Sequence, residues 1–257
     1  MATRKSSKSK ASEPVHIDIQ AVARASTILR IIGTTPLIQN RMPAKVKRSL
    51  LLGSKKKTAA EKAHVKHHPF EEFRDSIEFQ KTGTTAVGLP VTAVKGAMLT
   101  AALETAGMTK TGAQRLLFMP GDFFYVYGVP QIRCDVVRSA DMGRTPDIRT
   151  RAIFPHWCAE VEIEYVHPQL SQNSVAALLS NAGMLSGVGD YRQEKGKGSF
   201  GSFRVVGNKD KDKEWASIVK MGGRAAQEHA ILHPEPYNYE TEELLSFYNE
   251  EIAKRAA

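Results

Sequence analysis

The sequence predicts an α+β fold in which an antiparallel sheet carries helices on one face. Three observations carry that prediction: strands that alternate apolar and charged residues, apolar helical stripes between them, and a glycine-rich loop leading into a last strand. The 257-residue chain is long enough to bury a substantial core as one domain with arms. Its 42% hydrophobic and 25% charged residues are those of an ordinary globular protein.

Residues 1–14 hold Arg4, Lys5, Lys8 and Lys10 among serines and read as a disordered basic tail. A core is expected over 15–207. Ile28–Ile32, β-branched and aliphatic, is its first strand; Gly33-Thr34-Thr35-Pro36 bends it and Leu37-Ile38 resumes it. Residues 41–68 form a basic insertion with Arg41, Lys45, Lys47, Arg48, Lys55, Lys56, Lys57, Lys62 and Lys66 opposed by Glu61. Such asymmetry suits an arm facing nucleic acid, the alternative being a mobile loop. His64, His67 and His68 have no cysteine or carboxylate nearby at ligand spacing and read as surface histidines.

After Pro90, the stripe Val91, Val94, Met98, Ala101, Ala102 and Thr105 predicts a helix over 91–106, with Gly107 just past its end. Lys95 in that helix is either a lysine reaching for the surface or a phosphate contact. A second short helix is expected over 109–118. Phe123–Val129 is an aromatic strand, read as core packing, with a base-stacking platform as the alternative. Residues 130–151 alternate arginines with aspartates and predict a protruding hairpin, either laid along a phosphate backbone or protecting a sheet edge. Arg149 and Arg151 share one face of it. From Trp157 to Val166 the alternation is cleanest: Trp157, Ala159, Val161, Ile163 and Tyr165 point one way, Glu160, Glu162 and Glu164 the other. Three carboxylates in a row invite a metal-nuclease reading. They are better explained as the polar face of a half-buried strand, solvated or meeting a neighbouring copy. Ser171–Ala182 is a helix with a serine N-cap. Residues 208–257 are expected to hold a polar linker and an amphipathic helix over 240–255, glutamates first and Lys254-Arg255 last.

The stretch Gly187–Gly201 holds five glycines, with Tyr191, Arg192, Lys195, Lys197 and Phe200 among them and Arg204 just beyond. Cations and rings on a bare backbone suit a single-stranded nucleic acid, phosphates on the cations and bases on the rings; the alternative is a plain surface loop. The loop is no P-loop, because Gly198 follows Gly196-Lys197 where Ser or Thr is required. Nor is it a dinucleotide fingerprint, which opens a helix after a strand; here a helix precedes and a strand follows. The net charge of +9 favours a polyanionic partner. Cys134 and Cys158 lack metal spacing and read as reduced thiols. No apolar run reaches the roughly 18 residues of a membrane span, and a cytoplasmic location, in a bacterial host if phage-encoded, is expected. No cofactor or metal is expected.

The element order fits the βαββαβ ferredoxin-like, RRM-like fold. The segments Gly187-Val188-Gly189 and Gly198-Ser199-Phe200-Gly201-Ser202-Phe203 resemble the glycine-rich loop of the RAMP superfamily, the RRM-like backbone subunits of CRISPR effector complexes. Together with Ile31–Leu37 and Gly88-Leu89-Pro90, the block also resembles a family of small phage-encoded proteins found near replication and recombination genes. These resemblances imply a nucleic-acid groove beside the glycine loop, head-to-tail assembly and no catalysis. The expected function is therefore a non-enzymatic protein of phage replication or recombination type. It would bind single-stranded DNA or RNA and oligomerise along it, with Lys45, Lys47, Arg48, Lys55, Lys56, Lys57, Lys95, Arg149, Arg151, Arg192, Lys195, Lys197 and Arg204 as cations and Tyr191 and Phe200 as rings. The alternatives are a RAMP-like RNA-binding subunit or endoribonuclease, and a structural phage protein.

Overall fold

The computed structural model describes residues 21–52, 66–138, 143–195, 198–207 and 212–256. Strand β1 (Ala23–Gly33) lies antiparallel to β8 (Cys158–His167), in register from Ala23 opposite His167 to Ile32 opposite Cys158. On the far side of β1 runs β9 (Phe203–Val206); beyond β8 come β5 (Phe123–Tyr127) and β3 (Gly88–Pro90). A short β4 (Leu117–Phe118) also pairs with β8. Two helices, α3 (Val91–Ala101) and α5 (Gln172–Leu185), link these strands and pack against each other. Chain order β1-α3-β5-β8-α5-β9 and spatial order β5-β8-β1-β9 together make the ferredoxin-like α+β arrangement.

The pleat explains the burial. Thr27, Leu29 and Ile31 of β1 and Ala159, Val161, Ile163 and Tyr165 of β8 point to the helical side and are buried with Val94, Met98, Val175 and Leu179. The opposite face carries Arg24, Ser26 and Arg30 against Glu164, Glu162 and Glu160. Gly183 sets the distance of α5 from β9, because a Cβ there would overlap the Phe203 carbonyl oxygen and ring.

The insertions build a second sheet, β2 (Leu37–Gln39), β7 (Pro146–Phe154) and β6 (Gln131–Arg138), in the order β2-β7-β6. Its inner side chains Leu37, Ile132, Cys134, Ala152 and Phe154 join the main core. Helix α2 (Pro69–Ser76) packs on β7 and the C-terminal α8 (Tyr239–Ala256) packs on β6. The basic insertion also forms α1 (Ala44–Leu52). The chain leaves the first sheet for the second at Gly33, which passes so close to the fully buried Trp157 that a Cβ would overlap the indole; Trp157 in turn donates its N–H to the Thr35 carbonyl at 2.9 Å.

Several expectations need correction. Residues 130–151 do pair as a hairpin of β6 and β7, but its base is core: Ile132, Cys134, Thr150 and Arg151 are buried, and β2 pairs with β7 beyond Arg151. The helix from Val91 stops a turn early, at Ala101, where Leu103 and Glu104 donate to carbonyls three residues back. The helix expected over 109–118 is α4 (Lys110–Leu116), after which the chain turns into β4. The aromatic strand is not all core: Phe124 and Val126 are buried, whereas Phe123 and Tyr125 are exposed. His67, read as a surface histidine, is half-buried between Glu72 at 3.0 Å and Asp147 at 2.9 Å. The region after 207, expected as a polar linker and one helix, holds two further helices, α6 (Lys213–Met221) and α7 (Arg224–Leu232). Helices are consequently not confined to one face: Trp215 and Ile218 of α6 cover Ile32, Cys158, Val206 and Tyr127 on the other side of the sheet. Burial there pushes the Cys158 thiol up to about 12. The basic tail, Lys55, Lys56, Lys57 and Lys62 of the basic insertion, His64 and Lys197 lie outside the described residues.

Candidate nucleic-acid interface

The glycine loop runs from α5 to β9 over the outer face of the second sheet, and backbone contacts fix it there. Val188 N–H donates to the Gly201 carbonyl at 2.9 Å, Gly201 N–H to Pro36 at 2.8 Å and Asp190 N–H to Ile38 at 2.8 Å. Gly189 (φ +84°) and Gly201 (φ +73°) take left-handed backbone, and a Cβ at Gly201 would overlap the Val188 carbonyl oxygen. Tyr191 also has positive φ, 57°. These glycines therefore serve close backbone packing, and the loop is a built element rather than a slack tether.

Side chains complete the attachment. Strand register places Arg133 opposite Arg151 and Asp135 opposite Arg149 on the outer face. Two arginines directly opposed would repel, but Asp135 accepts from both, at 2.8 Å from Arg133 and 2.9 Å from Arg151. Arg151, 2% exposed, reaches Asp190 of the loop at 2.8 Å with its other terminal nitrogen, and Asn40 donates to the same Asp190 oxygen at 2.9 Å. Burial disfavours the Asp190 carboxylate, yet Arg151, the Tyr191 N–H and Asn40 outweigh it and hold the carboxyl below its ordinary value.

Above this network stand two rings. Tyr191 and Phe200 meet edge-to-face at 6.4 Å; the Arg151 guanidinium lies 5.1 Å from the Tyr191 ring centre and Arg133 lies 4.9 Å from that of Phe200. Tyr191 is 45% exposed.

The structure sorts the expected contact residues into three groups. Arg149 and Lys195 are exposed and, among the described residues, have no carboxylate partner; Arg149 shares the outer face of β7 with Arg151, and Lys195 lies on the loop that carries Tyr191. A second group is committed internally. Arg151 is buried in the network. Arg192 bonds Glu194 at 2.9 Å and the Gly189 carbonyl at 2.8 Å. Arg204 bridges Asp212 and Glu214, at 2.9 and 2.8 Å. Lys95 sits over the Phe118 ring at 5.7 Å. The third group, Lys45, Lys47 and Arg48, is exposed on α1, whose entry Met42-Pro43 lines one cleft with Arg149. Glu160 and Glu164 pair with Arg30 and Arg24, and Glu162 accepts from Ser26. Among the described residues no group of three or more His, Cys, Asp or Glu side chains is placed to hold a metal, and no helix is long and apolar enough to cross a membrane.

Sequence reasoning missed Arg133, Asp135, Asp190 and Asn40. The arginine–aspartate alternation was visible, but the pairing that turns it into a network comes from register across three separate segments.

No protein-family model matches the chain, and a search of curated proteins finds no match. Among solved structures, the chain is similar to Cmr6 from Pyrococcus furiosus at 9% identity and a TM-score of 0.37, over 72% of this chain and 98% of that one. A chain of the Type III-B Cmr-beta complex bound to cognate target RNA is similar at 13% identity and a TM-score of 0.35, over 71% of this chain and 59% of that one. Both TM-scores fall below 0.5, too low for either likeness to carry an argument about function. The phage-protein family gains no support from these comparisons.

Proposed function

We propose that the protein is a non-enzymatic binder of single-stranded nucleic acid that works as one copy among several in an assembly. One observation carries this reading: the glycine loop, tied by its backbone to Pro36 and Ile38, presents Tyr191 beside Phe200 over the second sheet, with Lys195 on the same loop and Arg149 on the same face of that sheet. Aromatic rings stack bases of any sequence, and cations along the same strand path take the phosphates. The exposed cations of α1, which follows directly on the Met42-Pro43 wall of the cleft that Arg149 also lines, would extend the basic track. RNA is the first ligand to try, because the loop resembles that of the RAMP superfamily, and single-stranded DNA is the second. The carboxylates of β8 support a non-catalytic role, since each is engaged by a neighbour on β1.

Fluorescence anisotropy with single-stranded RNA, single-stranded DNA and duplex DNA at two salt concentrations tests the reading. Single strands should bind best, with affinity falling steeply as salt rises. Arg149→Ala and Lys195→Ala should each lower the salt slope by about one, and Tyr191→Leu should weaken binding by about 1–3 kcal/mol. Absence of binding at low salt, or slopes that ignore both alanine variants, would sink the proposal.

A further inference from the structure

Among the described residues, nothing covers the face of the larger sheet turned away from α3 and α5 beside β5. Phe123 and Tyr125 are each 40% exposed and Ile28 is 48% exposed. With Glu160 and Glu162 they line a cleft of about 310 Å³. Arg30 neutralises Glu160 at 2.9 Å, whereas Glu162 meets the hydroxyl of Ser26 and, among the described residues, no cation. An aromatic cleft rimmed by a carboxylate that has no cationic partner among the described residues selects a cationic side chain with an aliphatic stem. The ammonium meets ring faces and the carboxylate, and its methylenes cover apolar surface.

Helix α1 carries that chemistry on its outside. Its sequence AKVKRSLLL has no acidic residue, and Val46, Leu50 and Leu51 are 44%, 71% and 85% exposed. At about 100° per residue, Val46, Lys47, Leu50 and Leu51 share an arc of about 140°, and Lys45 and Arg48 fall outside it. A helix of 9 residues is marginal in water by itself, so an apolar arc this open calls for cover.

We infer that this arc of α1 docks in the β5–β8 cleft of a second copy, with Lys47 against Glu162 and the rings, and Leu50 and Leu51 on Ile28. Donor and acceptor lie on different parts of the chain. The contact is therefore heterologous and repeats head to tail, closing into a ring or growing as a filament. Lys45 and Arg48 remain on the outer side of the docked helix, where they continue the basic track. The inference deepens the assembly part of the proposed function. It is measured without nucleic acid, so its failure is separate from a failure of binding.

The test is light scattering coupled to size exclusion over a concentration series. The wild-type protein should self-associate. Lys47→Glu and Glu162→Lys should each weaken association at least about ten-fold, with far-UV circular dichroism and melting unchanged. An equimolar mixture of the two variants should recover association, because each carries the complement of the other. A wild type that stays monomeric throughout, single variants that associate like wild type, or a mixture that stays apart would each overturn it.

Discussion

Replacing Arg151 with Met tests whether the glycine loop is held by the charge network beneath it. The substitution keeps most of the aliphatic stem and removes the two bonds, to Asp190 at 2.8 Å and Asp135 at 2.9 Å. Breaking a buried ion pair from one side costs roughly 3–5 kcal/mol, because the partner is left charged and dry. Here the carboxylates are 36% and 20% exposed and keep other donors: Asn40 and the Tyr191 N–H on Asp190, and Arg133 on Asp135. Solvent and those donors bring the expected loss to about 2–3 kcal/mol. Urea unfolding should show it as a lower midpoint at unchanged slope. Amide exchange should localise it: Val188, Asp190 and Gly201 should lose protection while β1 and β8 keep theirs. Adding Asp190→Asn should recover part of the loss, a coupling of about 1–2 kcal/mol. A loss below about 0.5 kcal/mol with loop protection unchanged would refute the network as the anchor, since distant surface changes fall in that range.

Two further outcomes follow from the same geometry. Gly201→Ala, at φ +73° and against the Val188 carbonyl, should destabilise by about 3 kcal/mol or more, whereas Gly96→Ala, exposed mid-helix with nothing within 4 Å of the added carbon, should be neutral or stabilise by about 0.5–1 kcal/mol; paired thermal melts read both. Because Asp190 is held below its ordinary value in the folded protein, its stabilisation is complete above the unfolded-state value near 4 and drains away as pH falls through the folded value. The stability gap between wild type and Asp190→Asn should therefore stay level from neutrality to about pH 5 and shrink below about pH 4, and a gap that does not move with acid would contradict the assignment.

How much was legible depended on whether the signal was local. The strand around Glu160, Glu162 and Glu164 alternates so cleanly that its two faces were readable, and Ser171 caps α5 where expected, accepting from Ser174 N–H at 3.1 Å. The glycine-rich run was readable as a place of positive φ and close backbone approach, but not which backbone it meets. Its glycines allow backbone to lie against the Pro36 and Ile38 carbonyls, a constraint set by residues some 150 positions away. The same limit hid the fate of Arg151 and Arg204. A basic residue in a charged stretch reads as surface, and only register or a following helix shows which carboxylate claims it. Helices α6 and α7 are short and bury little: Ile218 is the buried residue of α6, and Gln227, a polar residue, is a buried anchor of α7. Gln227 is inside because it satisfies the backbone of Ala86, Val87, Val126 and Gly128, at 2.8 to 3.1 Å.

The charge of the chain is divided between surfaces rather than spread evenly. One side of the larger sheet shows carboxylates and rings. The outer face of the second sheet shows the exposed Arg149 beside the paired Arg133 and Arg151, and α1 shows Lys45, Lys47 and Arg48. A uniformly basic protein binds a polyanion while its copies repel one another. One with an acidic, ring-lined cleft and a basic, apolar-striped helix instead has a favourable contact between copies and still leaves Lys195, Arg149 and the outer cations of α1 toward the strand. The separation of these two surfaces within one chain is why binding and self-association can be broken by different substitutions, Lys195→Ala for the first and Glu162→Lys for the second. A variant set in which both properties always fall together would mean that one surface does both tasks.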